Sequence, residues 1–419
     1  MSELAERERS FSVYNEGIVM YQKLESPRLR VGMYVVNTGV SWLSHPYLYM
    51  QEGELGEHDI QQLLAEGYTE AYVDLTQCRP GSLPPELEAL APSVTAEEVP
   101  QSFLPLQPKI ALAEELPKAR RVFRSSLNTA RDMMASMRKG SFDLPSVEPM
   151  VEDILGSLDR NADALLGLCK LRQADDYTYT HCINVSVLAT IFARGLGFSD
   201  DELHSIGLGG LFHDLGKARI PLHILNAPRR LNDKEMAIIR LHPQFGYDAL
   251  KDYAGLPKEV GQMVLEHHEQ YQGEGYPHKL PGQKISLVGR IGAVVDVFDA
   301  LSSRRVYKEA MPLNKALSIL YSMRGKELFP GMVERFIRLL GVFPVGSGVE
   351  LEDGSIGVVS MVNPSMPLRP RVILLRDKNG KNIGKLESDL SVDGAPGIVR
   401  ALTVKELGVD PADTLGIFT

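Results

Sequence analysis

Phe212-His-Asp-Leu-Gly-Lys217 and, downstream, His267-His-Glu-Gln-Tyr-Gln-Gly-Glu-Gly-Tyr-Pro277 are the two stretches around which the chain organises. Both lie in a region, Pro149 to Leu340, whose pattern is mainly helical, with patches such as Asn184–Phe192 and Lys315–Tyr321 separated by Gly and Pro punctuation. Eight of the ten histidines fall between His181 and His278. Five of them, His181, His213, His242, His267 and His268, form a candidate ligand set with Asp214 and Asp296. Neutral imidazole and carboxylate together suit divalent transition metals, and a carboxylate can bridge two ions. His213 and Asp214, read as neighbours on a helix, project toward adjacent faces. His181 and Asp296 come from other helices, as in bundle cores that build dimetal sites. Lys217, four residues after His213, is expected one helical turn further along the same face. Taken singly, each signal has a plainer reading: a buried histidine satisfied by a carbonyl, a chance His-Asp pair, a solvated helix end at His267-His268-Glu269. His204, His223 and His278 read as surface or structural residues, and Cys182 as a small core thiol.

Working outward, the texture changes on both sides. Upstream, Leu29-Arg-Val-Gly-Met-Tyr-Val-Val36 reads as a strand, Glu57–Gly67 as a short helix closed by Gly67, and Ala71–Leu75 as another strand. Pro80, Pro84, Pro85, Pro92, Pro100, Pro105 and Pro108 crowd the next stretch, which reads as a linker or irregular strap because proline removes backbone donors. A helix is expected from about Leu116 to Arg138, packed on its own domain or serving as a relay or dimer seam. Downstream of Phe343-Pro344, Asp353-Gly354 and Asn379-Gly380 are hairpin turns between alternating runs. Between residues 369 and 385, six basic side chains oppose only Asp377, and a solvated hairpin face is the expected account.

The chain has 419 residues, enough for two or three domains, and an ordinary globular composition. Lys+Arg 45 against Asp+Glu 54 gives a net charge of −9, which argues against binding to polymeric nucleic acid, though not against a small anion held by a few bases in one pocket. Three cysteines, Cys78, Cys169 and Cys182, make no disulfide framework and suggest a reducing cytoplasm. The charged N-terminus lacks a secretory h-region, and no apolar run is long enough for a membrane span.

The order His181, His213-Asp214, His242, His267-His268-Glu269, Gly275-Tyr-Pro277, Asp296-Val-Phe-Asp-Ala-Leu301 resembles the HD-GYP family, a branch of the HD phosphohydrolase superfamily, over residues 150–340. Leu29–Val35 and Ser41-Trp42 look like a domain of uncharacterised function often placed ahead of it. The resemblance implies a helical HD-type bundle; with the texture on either side, the expected fold is a multidomain, mainly α protein, the bundle preceded by a small α/β module and followed by a small β-rich extension. We expect residues 1–79 to form the α/β module, 80–108 the linker, 109–344 the helical domain with its leading helix, and 345–419 the extension.

The resemblance also implies function: metal-dependent hydrolysis of the bacterial messenger cyclic di-GMP to linear pGpG, and on to GMP in some members. Asp214 would bridge two divalent ions, iron or manganese with nickel or zinc as alternatives. His181, His213 and Asp296 would complete one site, and His242, His267 and His268 the other. Lys217 would serve catalysis by holding the scissile phosphate; Tyr276, Arg305 and Lys308 would bind the substrate, with Gly273, Gly275 and Pro277 shaping the loop. Read without the family, Arg304–Lys308 is an exposed helix end and the GYP loop a structural or partner-binding surface. Some members place Glu one turn before the first histidine for a third metal. Here that residue is Tyr177, whose phenol has an ordinary pKa of about 10 and ligates weakly, so a dinuclear site is expected. Competing readings are a catalytically weak sensor or interaction scaffold, and a hydrolase of another cyclic dinucleotide. Signalling partners at the GYP loop or N-terminal module, and a homodimer, are further expectations.

Overall fold

The computed structural model describes residues 10–14, 17–37, 53–65, 70–74, 78–85, 108–140, 143–169, 177–227, 229, 231–302, 313–363, 366 and 368–417. The chain divides into two compact units, Met1–Gln101 and Ser102–Thr419.

In the first unit, strands β1 (Ser10–Tyr14), β2 (Gly17–Glu25), β3 (Tyr34–Asn37), β4 (Gly53–Glu54) and β5 (Glu70–Asp74) form an antiparallel sheet in the order β1-β2-β5-β3-β4, accompanied by helix α1 (Glu57–Ala65). Leu24, Leu29, Met33, Val35, Leu55, Leu63, Ala71 and Val73 form its apolar core. The strand expected from Leu29 begins only at Tyr34. Pro27 opens a 3-10 turn over Ser26–Arg28, and Gly32 turns with φ 88° while its N–H donates to the Leu55 carbonyl. Apolar residues in this loop are buried by the turn rather than by a ladder. Gly67 and Trp42 lie outside the described residues, as does most of the proline-rich stretch.

The second unit begins with α2 (Leu112–Lys139), which packs along α3 (Glu148–Cys169). The helix expected to start near Leu116 starts a turn earlier. Its buried stripe is Leu116, Ala119, Phe123, Ala130, Met133 and Met137, and it stops at Gly140 in the left-handed conformation. Glu115 is fully buried against α3, where Ser157 and a two-pronged Arg160 donate to it. Burial opposes its charge, but those bonds outweigh burial and hold its pKa below the usual carboxylate range.

The bundle continues with α4 (Tyr177–Gly195), α5 (Asp200–Phe212), α6 (Leu222–Leu225), α7 (Asp233–Ile239), α8 (His242–Leu250), α9 (Lys258–Glu266), α10 (Leu287–Ser302), α11 (Leu313–Ser322) and α12 (Met332–Leu340). Helix α4 is central: Ile183, Val185, Val187, Ala189, Ile191 and Phe192 are all buried, covering several of its faces. Phe336 of α12 sits edge-on to both Phe192 and Phe298 at 5.1 and 5.2 Å between ring centroids. Cutting such a ring back to alanine costs about 3–5 kcal/mol.

Beyond the bundle, β6 (Gly348–Leu351), β7 (Ile356–Met361), β8 (Arg371–Arg376), β9 (Asn382–Asp389) and β10 (Ile398–Leu402) make an antiparallel sheet ordered β10-β6-β7-β8-β9. Asp353-Gly354 and Asn379-Gly380 turn its hairpins as read from sequence, with both glycines at positive φ. Two short helices, α13 (Val404–Leu407) and α14 (Pro411–Thr414), end the chain, and Arg120 of α2 donates to the carbonyls of Gly416 and Ile417. Among the described residues no helix is long and apolar enough to cross a membrane.

Candidate metal centre

The ligand set is delivered mostly by helix ends. His181 is in the first half of α4. His213 caps α5, and Asp214 follows in the sparsely populated region near φ −100°, ψ 5°. His242 opens α8, His267 caps α9 with His268 next, and Asp296 lies on α10. This corrects one expectation. His213, Asp214 and Lys217 do not share a continuous helix: the chain passes into a 3-10 turn, Leu215–Arg219. The cause is tertiary. A Cβ at Gly216 would lie 1.9 Å from the His242 carbonyl oxygen, so the turn is pressed against the start of α8. Lys217 consequently sits back on Asp214, with Nζ donating to Oδ2 at 2.6 Å.

Helix ends leave carbonyls without backbone donors. Three imidazoles fill that need in the same way: Nδ1 of His213, His242 and His267 lies 2.7, 2.9 and 2.9 Å from the carbonyls of Gly210, Ile239 and Val264, each three residues earlier. A carbonyl only accepts, so each Nδ1 carries a proton, which in a neutral imidazole leaves Nε2 as the bare lone pair. Yet His242 Nε2 and His267 Nε2 are 3.1 Å apart, and His213 Nε2 is 3.1 Å from His181 Nε2. Asp214 Oδ1, buried and 3.2 Å from His242 Nε2, has no hydrogen-bond donor. Lone pairs facing lone pairs in a dry core are repulsive unless a cation lies among them.

The donor atoms fall into overlapping groups within metal-ligand reach: His181, His213 and Asp296; His242, His267 and His268; and His213, Asp214 and His267. Asp296 Oδ1 is 3.0 Å from His181 Nε2, and its Oδ2 is 3.7 Å from His268 Nδ1. Burial raises the pKa of Asp214, but the charges of Lys217 and His213 outweigh it and hold the carboxyl well below the usual range. Asp296 is lowered likewise against burial, by His181 and the neighbouring imidazoles. Burial pushes His267 well down, and brings His268 to about 3 against the pull of Asp296. Burial also works against charge on His181, but its bonds to Asp296 and Asp299 prevail and raise it to about 10. The carboxylates are thus ionised and His267 and His268 neutral, the protonation states that ligation requires, while His181 releases a proton when it ligates.

Glu269, buried, accepts from the N–H groups of His278 and Leu280 and so clamps the loop that follows. Gly275 passes within 2.4–2.6 Å, measured from an added Cβ, of the Glu269–Gln270 backbone and the His268 carbonyl, and only glycine fits there. Tyr276 is thereby laid over His268, with centroids 4.7 Å apart. Burial raises its hydroxyl pKa, and the charges of Asp296 and Asp214 raise it further. The exposed Arg240 guanidinium lies 5.6 Å from the Tyr276 ring centre.

The structure therefore brings together His181, His213, Asp214, Lys217, His242, His267, His268, Tyr276 and Asp296. Arg305, Lys308, Asp175 and Asp176 lie outside the described residues, as does the side chain of Tyr177. His204, His223 and His278 join none of the ligand groups, and Cys182 is a buried free thiol. The sequence reading missed Asp299, Asn184, Glu269 as loop clamp, and Arg240. Of these, Glu269 and Asp299 carried a signal, Glu269 directly after His267-His268 and Asp299 three residues after Asp296 on the same helical face.

An HD domain model matches residues 145–331, a domain of unknown function (DUF3391) matches 21–142, and a KOW domain associated with HD domain matches 348–409. The cyclic di-GMP phosphodiesterase PA4108 of Pseudomonas aeruginosa is 34% identical over 356 residues, 84% of each chain. The cyclic di-GMP phosphodiesterase response regulator RpfG of Xanthomonas campestris pv. campestris is 39% identical over 176 residues, 41% of this chain and 47% of that protein. The 3'3'-cGAMP-specific phosphodiesterase 3 of Vibrio cholerae is 36% identical over 168 residues, 40% of this chain and 36% of its own. The chain thus spans less than half the length of these last two. Fold and site define an HD-domain protein of the phosphohydrolase class. Within that class, the chain belongs to the HD-GYP family.

Proposed function

We propose that the chain is a metal-dependent phosphodiesterase that hydrolyses cyclic di-GMP to linear pGpG in bacterial second-messenger signalling. The observation that carries this is the set of inward-facing Nε2 atoms around the donorless oxygen of Asp214. The donor set is oxygen and imidazole nitrogen, which fits two ions of iron or manganese, with nickel or zinc as substitutes. His181, His213 and Asp296 would hold one, His242, His267 and His268 the other, and Asp214 both. Bound cations supply Lewis acidity, polarising a phosphoryl oxygen and making water acidic enough to act as a nucleophile near neutral pH.

The protein's own groups do the rest. Asp214 and Asp296 balance the charge of the centre. Burial works against charge on Lys217, but Asp214 outweighs it and raises the pKa, so the ammonium stays protonated beside the reacting phosphate and stabilises charge growing on its oxygens. Tyr276 offers a ring face and Arg240 a cation at the outer edge of the site. Arg305 and Lys308 bind the ligand phosphates, Arg through its planar fork. The N-terminal module regulates the hydrolase, and the reaction takes place in the cytoplasm, in keeping with Cys78, Cys169 and Cys182 forming no disulfide among the described residues.

The test is turnover of cyclic di-GMP and of 3'3'-cGAMP by metal-loaded protein, with product analysis. Faster hydrolysis of cyclic di-GMP is expected. Preference for 3'3'-cGAMP would reassign the base specificity, and metal uptake without turnover of either would make the chain a sensor or scaffold.

A further inference from the structure

His181 differs from the other three imidazoles of the centre. It lies within a helix, where carbonyls are already engaged by the backbone ladder, so its Nδ1 cannot use the helix-end device that fixes His213, His242 and His267. Its Nδ1 lies instead 2.6 Å from Asp299 Oδ2, a carboxylate of α10 placed 118 residues away in sequence and itself buried. A carboxylate here only accepts, so Nδ1 carries a proton, and Nε2 is turned to His213 and Asp296.

The other oxygen of Asp299 is held as well. Asn184, one turn after His181 on α4 and fully buried, donates from Nδ2 to Asp299 Oδ1 at 2.9 Å. The same Nδ2 donates its second hydrogen to the carbonyl of Cys169, the last residue of α3, at 2.9 Å. Both amide hydrogens are used, which fixes the orientation of the amide. Three helices thus meet in one polar chain, Cys169 to Asn184 to Asp299 to His181, that ends on the candidate ligand.

We infer that Asp299, steadied by Asn184, is the positioning residue of His181: it sets the tautomer, holds the ring plane, and makes Nε2 a better donor than a carbonyl-backed imidazole. Carboxylates behind ligating histidines act in this manner, and their loss weakens metal binding by about ten- to hundredfold. The two halves of the centre are therefore unequal. The half containing His181 depends on Asp299, whereas His242 and His267 are backed by carbonyls only. This inference rests on the metal reading of the cluster, and its test reads ion binding rather than turnover.

Metal-free full-length protein is titrated with Mn(II), and binding is followed by electron paramagnetic resonance and by metal counting after gel filtration. Wild-type protein is expected to take up two ions that couple magnetically. Asp299→Asn, nearly isosteric, is expected to bind one ion as wild type does and the other about ten- to hundredfold more weakly, giving the uncoupled six-line spectrum at intermediate loading. Asn184→Ser, which leaves the carboxylate in place, is expected to weaken the same step by less, and it decides the matter if Asp299→Asn is recovered unfolded. Two ions bound with wild-type affinity in the folded variants would overturn the inference while leaving the metal reading intact. Wild-type protein that takes up no Mn(II) would overturn the metal reading first, and this inference with it.

Discussion

The bundle interior and the C-terminal sheet both gather charged side chains, but they settle them in opposite ways. In the sheet module five of the bases find an answer close by. Arg369 donates to the Ala395 carbonyl, Arg371 to Asp389, Arg376 to the Leu407 carbonyl, Lys385 to the Asp413 carbonyl, and Arg400 to Glu350 and Glu406. These groups stand at the surface, with the Arg371 and Arg400 side chains about half exposed, and they converge on nothing. In the bundle the protons are spent on helix-end carbonyls and on Asp299, and what remains is a buried ring of acceptors aimed inward. The difference lies in which atoms are left over and where they point. An acceptor surplus in a dry interior requires a cation, whereas matched pairs in water require nothing.

The sharpest way to break this contrast is to remove the shared acceptor. Asp214→Ala is expected to lose both metal content and turnover, with activity falling to background, because it deletes the carboxylate that lies among four of the other donors. A circular dichroism spectrum that still reports folded helix is the accompanying control. Unchanged metal and rate would place the centre elsewhere.

Stripping the ions comes next in size. If the bundle is completed by cations, chelation should lower the unfolding midpoint of the helical part, by an amount equivalent to about 2.7 kcal/mol for ligand at a hundred times its dissociation constant. Hydrogen exchange resolved by segment should show faster exchange in α4, α5, α9 and α10 and no change in β6–β10. Equal destabilisation of both regions would erase the distinction drawn here. Smaller again is Arg305→Ala, expected to lower kcat/KM about ten- to hundredfold, from about 1.5–3 kcal/mol of lost charge-assisted bonding, with metal content intact. Metal loss in that variant would make Arg305 a structural residue. Least of all, Arg371→Ala in the sheet should leave turnover and the unfolding midpoint within experimental error, as an exposed pair does. A measurable loss of activity would mean that the sheet module takes part in the reaction.

Sequence and structure agree where the signal is local. Asp353-Gly354 and Asn379-Gly380 dictate turns from their own backbone preferences, and the imidazole and carboxylate residues singled out by type and order lie together in the bundle. What escaped the sequence was tertiary. The text Phe212–Lys217 continues a helical pattern, and the break after Phe212 comes from the approach of Gly216 to the His242 carbonyl, a contact between helices distant along the chain. The strand read from Leu29 fails because Gly32 serves a turn whose N–H is paired with Leu55. Asp299 is of the same type as Asp296 and lies on the same helical face. No spacing rule says that one points into the centre and the other behind a histidine. Arg240 is one basic residue among many until the fold lays Tyr276 beneath it.

The most direct measurement is a metal count on anaerobically purified protein, run beside a product time course on cyclic di-GMP. With Tyr177 in place of a third carboxylate ligand, the account predicts about two ions per chain and accumulation of linear pGpG, with turnover that disappears on chelation and returns on adding Mn(II) or Fe(II). Full turnover by the stripped protein, or cyclic di-GMP left intact by metal-loaded protein, would contradict the account. Three tightly bound ions with rapid release of GMP would contradict the part that rests on Tyr177.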